Sequence, residues 1–438
     1  MNRKIINRLL IALTVMVIII VFMLYRGINQ TSIINYIILF FVIIYTLYSA
    51  VKQNFILNPY SLFALTPITL FIYDVSVSTH YLKELEQSTY NICIYNFVAL
   101  LCGLAFANKY GFKVNESSVW LRGDSMNPKK YVVHSYTMLI LGLYPTIYGC
   151  VTHFGYLISL NLNGMKAAIN SAPLASVFQL FLYPAIICSL FSKKRKPIII
   201  CFSALALSVL LNFSKTTLVM FVISVLLAIY NQYSIDNKKI FRLVLLGAIA
   251  LLAFYYSFDF YNSIRHDYDT NAYFNSLGYV GNVKLNWFLP LMYLISPWGN
   301  LQYIMNTTIN HTYGLWAIKP FLGYLQLDNL FENEYALVPM YSAFNTFSYI
   351  SCFYRDFGFL GSGIGSFVLG YFIMKVYRLF MRHRKSPFIN AIYALNMYAT
   401  VMLFFSNHYL QLSYPITIVI IMWIYLRLFV SKETDYEG

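Results

Sequence analysis

The sequence predicts an all-α polytopic integral membrane protein with about twelve transmembrane helices and one large outer loop before the last three of them. Three observations lead there. Of 438 residues, 59% are hydrophobic and only 11% are charged, where an ordinary soluble domain carries roughly 25% charge. Apolar runs long enough to cross a bilayer, such as Leu9 to Tyr25, recur along the whole length. Lysines and arginines concentrate on alternate connections between those runs, as the positive-inside rule requires.

Taking about 17 or more mostly apolar residues between polar or basic flanks as a span, helices fall near 9–25, 33–51, 59–75, 90–107, 131–152, 174–192, 197–213, 216–231, 242–260, 357–377, 388–405 and 410–429. Arg3, Lys4 and Arg8 precede the first run and no small-residue cleavage site follows it, which reads as a retained helix and not a signal peptide. With connections alternating sides, 23 of the 31 Lys and Arg lie on one side and 8 on the other, so both termini are expected in the cytoplasm. One missed or invented span would swap sides for everything after it, so the same asymmetry supports the count. No internal repeat, soluble domain or low-complexity tract interrupts 1–438, which reads as a single membrane domain.

The stretch 259–356 is expected to be the large outer loop, and a loop of that size is usually functional. It contains apolar, aromatic pieces, Trp287 to Ser296 and Gly314 to Leu327, interrupted by Pro290, Pro297 and Pro320. These are expected to be amphipathic helices on the outer leaflet or re-entrant pieces against the bundle. The alternative is that 285–305 and a later piece form two further spans, which would leave the sidedness of later segments unchanged.

Several function classes lose ground. The net charge of +15 does not point to nucleic acid, because the cations sit in short clusters between apolar segments and not on one folded surface. Six scattered cysteines without a C-x-x-C pair indicate neither a disulfide framework nor a zinc site. There is no P-loop, H-E-x-x-H, G-x-S-x-G or aspartate cluster spaced for a nucleotide-sugar metal, so ATP-driven transport and metal-dependent chemistry recede, and no cofactor is indicated.

Ionisable residues in or beside spans are costly, about 2.5 to 3.5 kcal/mol at a helix centre, and so start as functional candidates. Lys215, at the tight outer turn Asn212 to Thr217, is either a substrate ligand or a lysine snorkelling to the interface. Arg265, His266 and Asp267 follow the ninth span at the start of the large loop; Arg265 offers a bidentate fork for lipid-linked phosphates, while His266 and Asp267 could act as acid or base or form a solvated charge cluster. Tyr354, Arg355 and Asp356 are expected at the outer mouth of the tenth helix, whose start is rich in glycine (Gly358, Gly361, Gly363, Gly365). The plainer reading is a belt tyrosine, an Arg–Asp pair and glycines for close helix packing. Against it, Arg265 and Arg355 stand at the two feet of one loop, as a pyrophosphate site would need. The loop's many tyrosines and tryptophans suit a surface that stacks on sugars, and His311, Asp328, Glu332 and Glu334 are candidate bases for an acceptor hydroxyl.

The span count, the long outer loop and the stretch Asn345 to Gly370, with Tyr354-Arg-Asp-Phe-Gly358-Phe-Leu-Gly361 inside it, together resemble the O-antigen and capsular oligosaccharide repeat-unit polymerases of the Wzy type. The resemblance covers most of the chain in topology and is specific in residues only over Asn345 to Gly370. It implies a metal-independent glycosyltransferase of the bacterial inner membrane that joins undecaprenyl-pyrophosphate-linked oligosaccharides on the periplasmic side, with a polysaccharide chain-length regulator as a possible partner. Outer-loop arginines matter in that family, and this role is carried onto Arg265 and Arg355. The chain departs from an Arg-x10-Gly pattern found in some members: the position eleven after Arg265 is Ser276, and the earlier outer loop offers Lys166 in place of an arginine. Competing readings are an O-antigen ligase, which shares layout and donor, a lipid-linked oligosaccharide flippase, and a membrane scaffold without chemistry.

Overall fold

The computed structural model describes residues 30–53, 57–76, 84–110, 128–159, 161–173, 175–179, 181–212, 285–308, 310–324, 346–383, 386–410 and 413–430. Every regular element among them is helical. In chain order these are α1 (Gln30–Lys52), α2 (Pro59–Phe63), α3 (Leu65–Ser76), α4 (Gln87–Tyr110), α5 (Pro128–Thr152), α6 (Phe154–Ile158), α7 (Leu162–Asn170), α8 (Ala175–Gln179), α9 (Leu182–Phe191), α10 (Arg195–Asn212), α11 (Leu285–Thr307), α12 (Leu315–Tyr324), α13 (Tyr349–Arg382), α14 (Pro387–Val401) and α15 (Ser413–Val430), with a 3-10 turn at Met402–Phe404. Within this set, Asn35–Lys52, Gln87–Tyr110 and Tyr349–Arg382 are long and apolar enough to cross a membrane, and Leu182–Phe191, Phe388–Phe404 and Tyr414–Ile424 are shorter apolar helices. The described residues are all-α, and their long apolar helices mark a membrane protein.

Local chemistry explains where the helices begin and break. Asn58 opens α2: its side-chain oxygen accepts the Tyr60 and Ser61 amides at 3.0 and 3.1 Å, and Ser61 Oγ accepts the Asn58 amide at 3.1 Å. The expected span 59–75 then pinches at Ala64, because Pro67 has no N–H to offer the Phe63 carbonyl one turn back. The expected span 174–192 is likewise divided into α8 and α9, with Pro184 tolerated in the first turn of α9. By contrast, α11 runs unbroken for 23 residues through Pro290 and Pro297.

The helices form two compact units. The first holds α1–α4, α11, α12, α13 as far as Lys375 and the 3-10 turn. Its centre is the packing of α4 on α13. A side chain at Gly103 would run into the Phe367 carbonyl and one at Gly370 into the Leu100 carbonyl, so glycine on each helix lets the backbones meet. Beside that crossing, fully buried Asn96 donates to Ser362 Oγ at 3.1 Å and accepts from Ser366 Oγ at 2.5 Å. The opposite face of α13 exposes Leu360, Ile364, Val368 and Phe372 at four-residue intervals, a stripe suited to lipid.

Helix α11 is buried in the same unit, not laid on a surface. Trp298 is fully buried and donates through Nε1 to Thr69 Oγ1 at 3.3 Å; Asn300 donates to the Thr346 carbonyl at 2.8 Å; Gln302 accepts the Glu86 amide at 2.7 Å. These three buried polar side chains therefore each meet a partner, as a low-dielectric interior demands.

The second unit holds α5–α10, the end of α13, α14 as far as Ala399, and α15. Its core gathers Met138, Leu139, Leu182, Ile186, Leu205 and Ile424. Gly142 faces Leu182 and Gly149 faces Ile169, which draws α9 and α7 close against α5.

Candidate functional site

The site is built on the first nine residues of α13. Ser348 precedes the helix, with its hydroxyl 3.2 Å from that of Ser351 and its carbonyl accepting the Ser351 amide at 3.0 Å as the first turn begins. The expected start at Phe357 is therefore corrected to Tyr349: residues 354–356 are inside helical chain, and the helix continues after Gly358. At Gly358 the backbone takes φ 67° and ψ −160°, a conformation open in practice only to glycine. The His311 ring fills the space a side chain would need, with Nε2 2.6 Å from where the Cβ would stand.

Two reasons thus require glycine at that position.

The break turns the last carbonyls of this helical piece toward an upstream segment. The Arg355 carbonyl accepts the Thr312 amide at 3.1 Å and the Asp356 carbonyl accepts the Tyr313 amide at 2.8 Å. Tyr313 and Gly314 both have positive φ, 49° and 95°, so the chain reverses sharply and aims the start of α12 back at α13. The Asp356 carboxylate receives it. Oδ1 accepts from the Thr312 hydroxyl and from the Trp316 amide at 2.9 Å, and Oδ2 accepts the Ala317 amide at 3.0 Å. These amides belong to the first turn of α12, where the helix dipole favours a negative group.

Arg355 is 8% exposed and donates from Nη1 to Thr308 Oγ1 at 3.0 Å. Half-buried Tyr354 meets the His311 ring edge-on, with centroids 5.7 Å apart. His311 Nδ1 is buried and has no hydrogen-bond partner among the described residues. Arg355, Asp356, Tyr354 and His311 are therefore neighbours. Among side chains whose burial is described, Arg355 and Asp356 are the buried members of the Lys, Arg, Asp and Glu set.

This arrangement offers a held cation, a fixed carboxylate and an aromatic ring on one bent helix, and an imidazole on the turn packed against it. It can stabilise an anion and accept a proton from a hydroxyl. Among the described residues, no three of His, Cys, Asp and Glu gather to hold a metal ion. Lys166 lies half-buried on α7 in the second unit, a helix opened by Asn161 accepting the Gly164 amide at 2.9 Å. Arg265, His266, Asp267 and Lys215 lie outside the described residues. Thr308 and Thr312 were not visible as site residues in the sequence, and Gly358 stood out there only as one of several glycines and as part of the 354–361 motif. The nearest signals are the Thr-Tyr-Gly turn at 312–314 and a glycine two places after a buried aspartate.

Comparison with known proteins adds no relative: no protein-family model, no curated protein and no solved structure matches the chain.

Proposed function

We propose that the protein is a polymerase that joins undecaprenyl-pyrophosphate-linked oligosaccharide repeat units into a surface polysaccharide, O-antigen or capsule. It works at the periplasmic face of the bacterial inner membrane, with about twelve spans and both termini cytoplasmic. The observation that carries this reading is Arg355, a cation buried beside the Gly358 break within the stretch whose residues resemble the Wzy-type polymerases. A buried arginine in a membrane protein is costly to keep and suits a phosphate-bearing ligand better than a packing role.

In this scheme the acceptor hydroxyl on the non-reducing end of one lipid-linked unit attacks the anomeric carbon of the glycan on another. The bond from that carbon to the pyrophosphate oxygen breaks, and undecaprenyl pyrophosphate departs with the electron pair. Arg355 neutralises the departing charge, with Arg265 as the expected second cation. His311 takes the hydroxyl proton, and Tyr354 offers a face to the sugar. Lys166 and Lys215 remain candidate ligands for substrate in the other outer connections.

The test is a gel of surface polysaccharide from a strain deleted for the gene, with and without its restoration. Collapse of the ladder to core plus a single repeat unit, reversed on restoration, supports polymerisation. Loss of even the single capped unit would point instead to the ligase or the flippase, and an unchanged ladder would sink the reading.

A further inference from the structure

The geometry points to Asp356 as a positioning residue, which holds α12 and the 311–314 turn against the bend of α13 and so sets His311 and Arg355 for the chemistry. The inference rests on the polymerase reading for what is positioned, while the pin itself rests on contacts alone. The Asp356 side chain is fully buried. One carboxylate oxygen is engaged by the Thr312 hydroxyl and the Trp316 amide, the other by the Ala317 amide. A substrate proton would have to displace donors already fixed by the fold, whereas the buried His311 Nδ1 has no partner to displace among the described residues.

The segment is also held by a short list of other contacts. Thr312 and Tyr313 amides reach the carbonyls of Arg355 and Asp356, and Phe357 lies against Gly314, 3.4 Å from where a Cβ would sit. Inside α12 the first-turn amides have no carbonyls of their own to bond, so the carboxylate supplies what the helix lacks. Removing it frees the start of α12, and with it the turn that seats His311 over Gly358. Nothing equivalent follows from removing a carboxylate that merely neutralises Arg355.

The full-length protein in lipid nanodiscs tests this with two variants and two readouts. In Asp356→Ala, amide hydrogen exchange across 312–320 should quicken about tenfold, the scale of losing a helix cap, and polymer should fall to roughly a tenth or less. In Asp356→Asn, one oxygen remains for Thr312 and Trp316 while the new NH2 cannot accept from Ala317, so exchange should rise by no more than about threefold and polymer should largely be restored. Unchanged exchange in Asp356→Ala would overturn the pin. An Asp356→Asn protein that keeps its amides protected but makes no polymer would overturn the positioning role in favour of direct chemistry. The exchange readout decides the pin even in a chain that polymerises nothing, and only the gel bears on the polymerase reading.

Discussion

The α5/α9/α10 bundle of the second unit and the Arg355 turn of the first are both buried, yet they are held by different kinds of contact. In the bundle, apolar side chains such as Met138, Leu182 and Ile186 fill the core. Many hydroxyls there bond within their own helix: Ser135 to the Val132 carbonyl at 2.8 Å, Ser189 to the Ile186 carbonyl at 2.7 Å, Ser192 to the Ser189 carbonyl at 2.6 Å. Such bonds form in any isolated helix and specify no partner, although the Ser135 and Ser189 hydroxyls also meet the Cys201 thiol of α10. At the Arg355 turn the polar groups reach across the chain, from Thr308 to Arg355 and from Thr312, Trp316 and Ala317 to Asp356. Each of these exists in only one arrangement of the fold. The bundle is therefore mainly an apolar scaffold, while the turn is fixed by bonds that a single geometry makes.

Breaking the turn should have the largest effect. Arg355→Ala is expected to abolish long glycan chains while protein level and membrane insertion stay normal, because the lost group is the one proposed to meet the leaving pyrophosphate. Transition-state charge donors of this kind are worth about 100- to 1000-fold in rate. A full ladder from Arg355→Ala would remove Arg355 from the site. Gly358→Ala comes next. It forces a side chain into a glycine-only conformation, costing about 1–3 kcal/mol, and drives its methyl into the His311 ring. Polymer should be strongly reduced with a modest drop in thermal stability. Normal polymer and an unshifted melting temperature would mean that the bend is dispensable.

These two variants also mark what could be read from the sequence. The helices α4 and α5 follow directly from apolar runs flanked by Lys109 and by Lys129 and Lys130, and the structure extends each expected span by only about a turn. The start of α13 was not legible. Arg355 and Asp356 look like the polar end of a span in any local window, and their hydrogen-bond partners lie some forty residues earlier in the chain. The sequence leaves α11 open between broken pieces, suggested by its prolines, and a further span over 285–305; its polar residues are satisfied by Thr69, Glu86 and Thr346, none of them near in sequence. Arg355, Asp356, Tyr354 and His311 stood out singly because ionisable and aromatic residues do. That they belong to one site depended on two threonines and a glycine with no distinguishing chemistry of their own.

The smaller predictions test whether contacts that cross between helices differ in kind or only in number. Asn96 joins α4 to α13 through Ser362 and Ser366, all three fully buried. Asn96→Ala should cost about 1–2 kcal/mol, since each interhelical bond in a membrane averages near 0.6 kcal/mol and partners are left unsatisfied. Polymer should fall in step with folded protein and not beyond it. In the bundle, Thr146 and Ser208 share a single hydroxyl contact of 3.0 Å between α5 and α10. Thr146→Val keeps the shape and removes that bond, so the expected loss is about 0.6 kcal/mol or less, with chain-length distribution unchanged. A marked shift in chain length from Thr146→Val, at unaltered stability, would show that the bundle takes part in the reaction and that the division between scaffold and site is drawn in the wrong place.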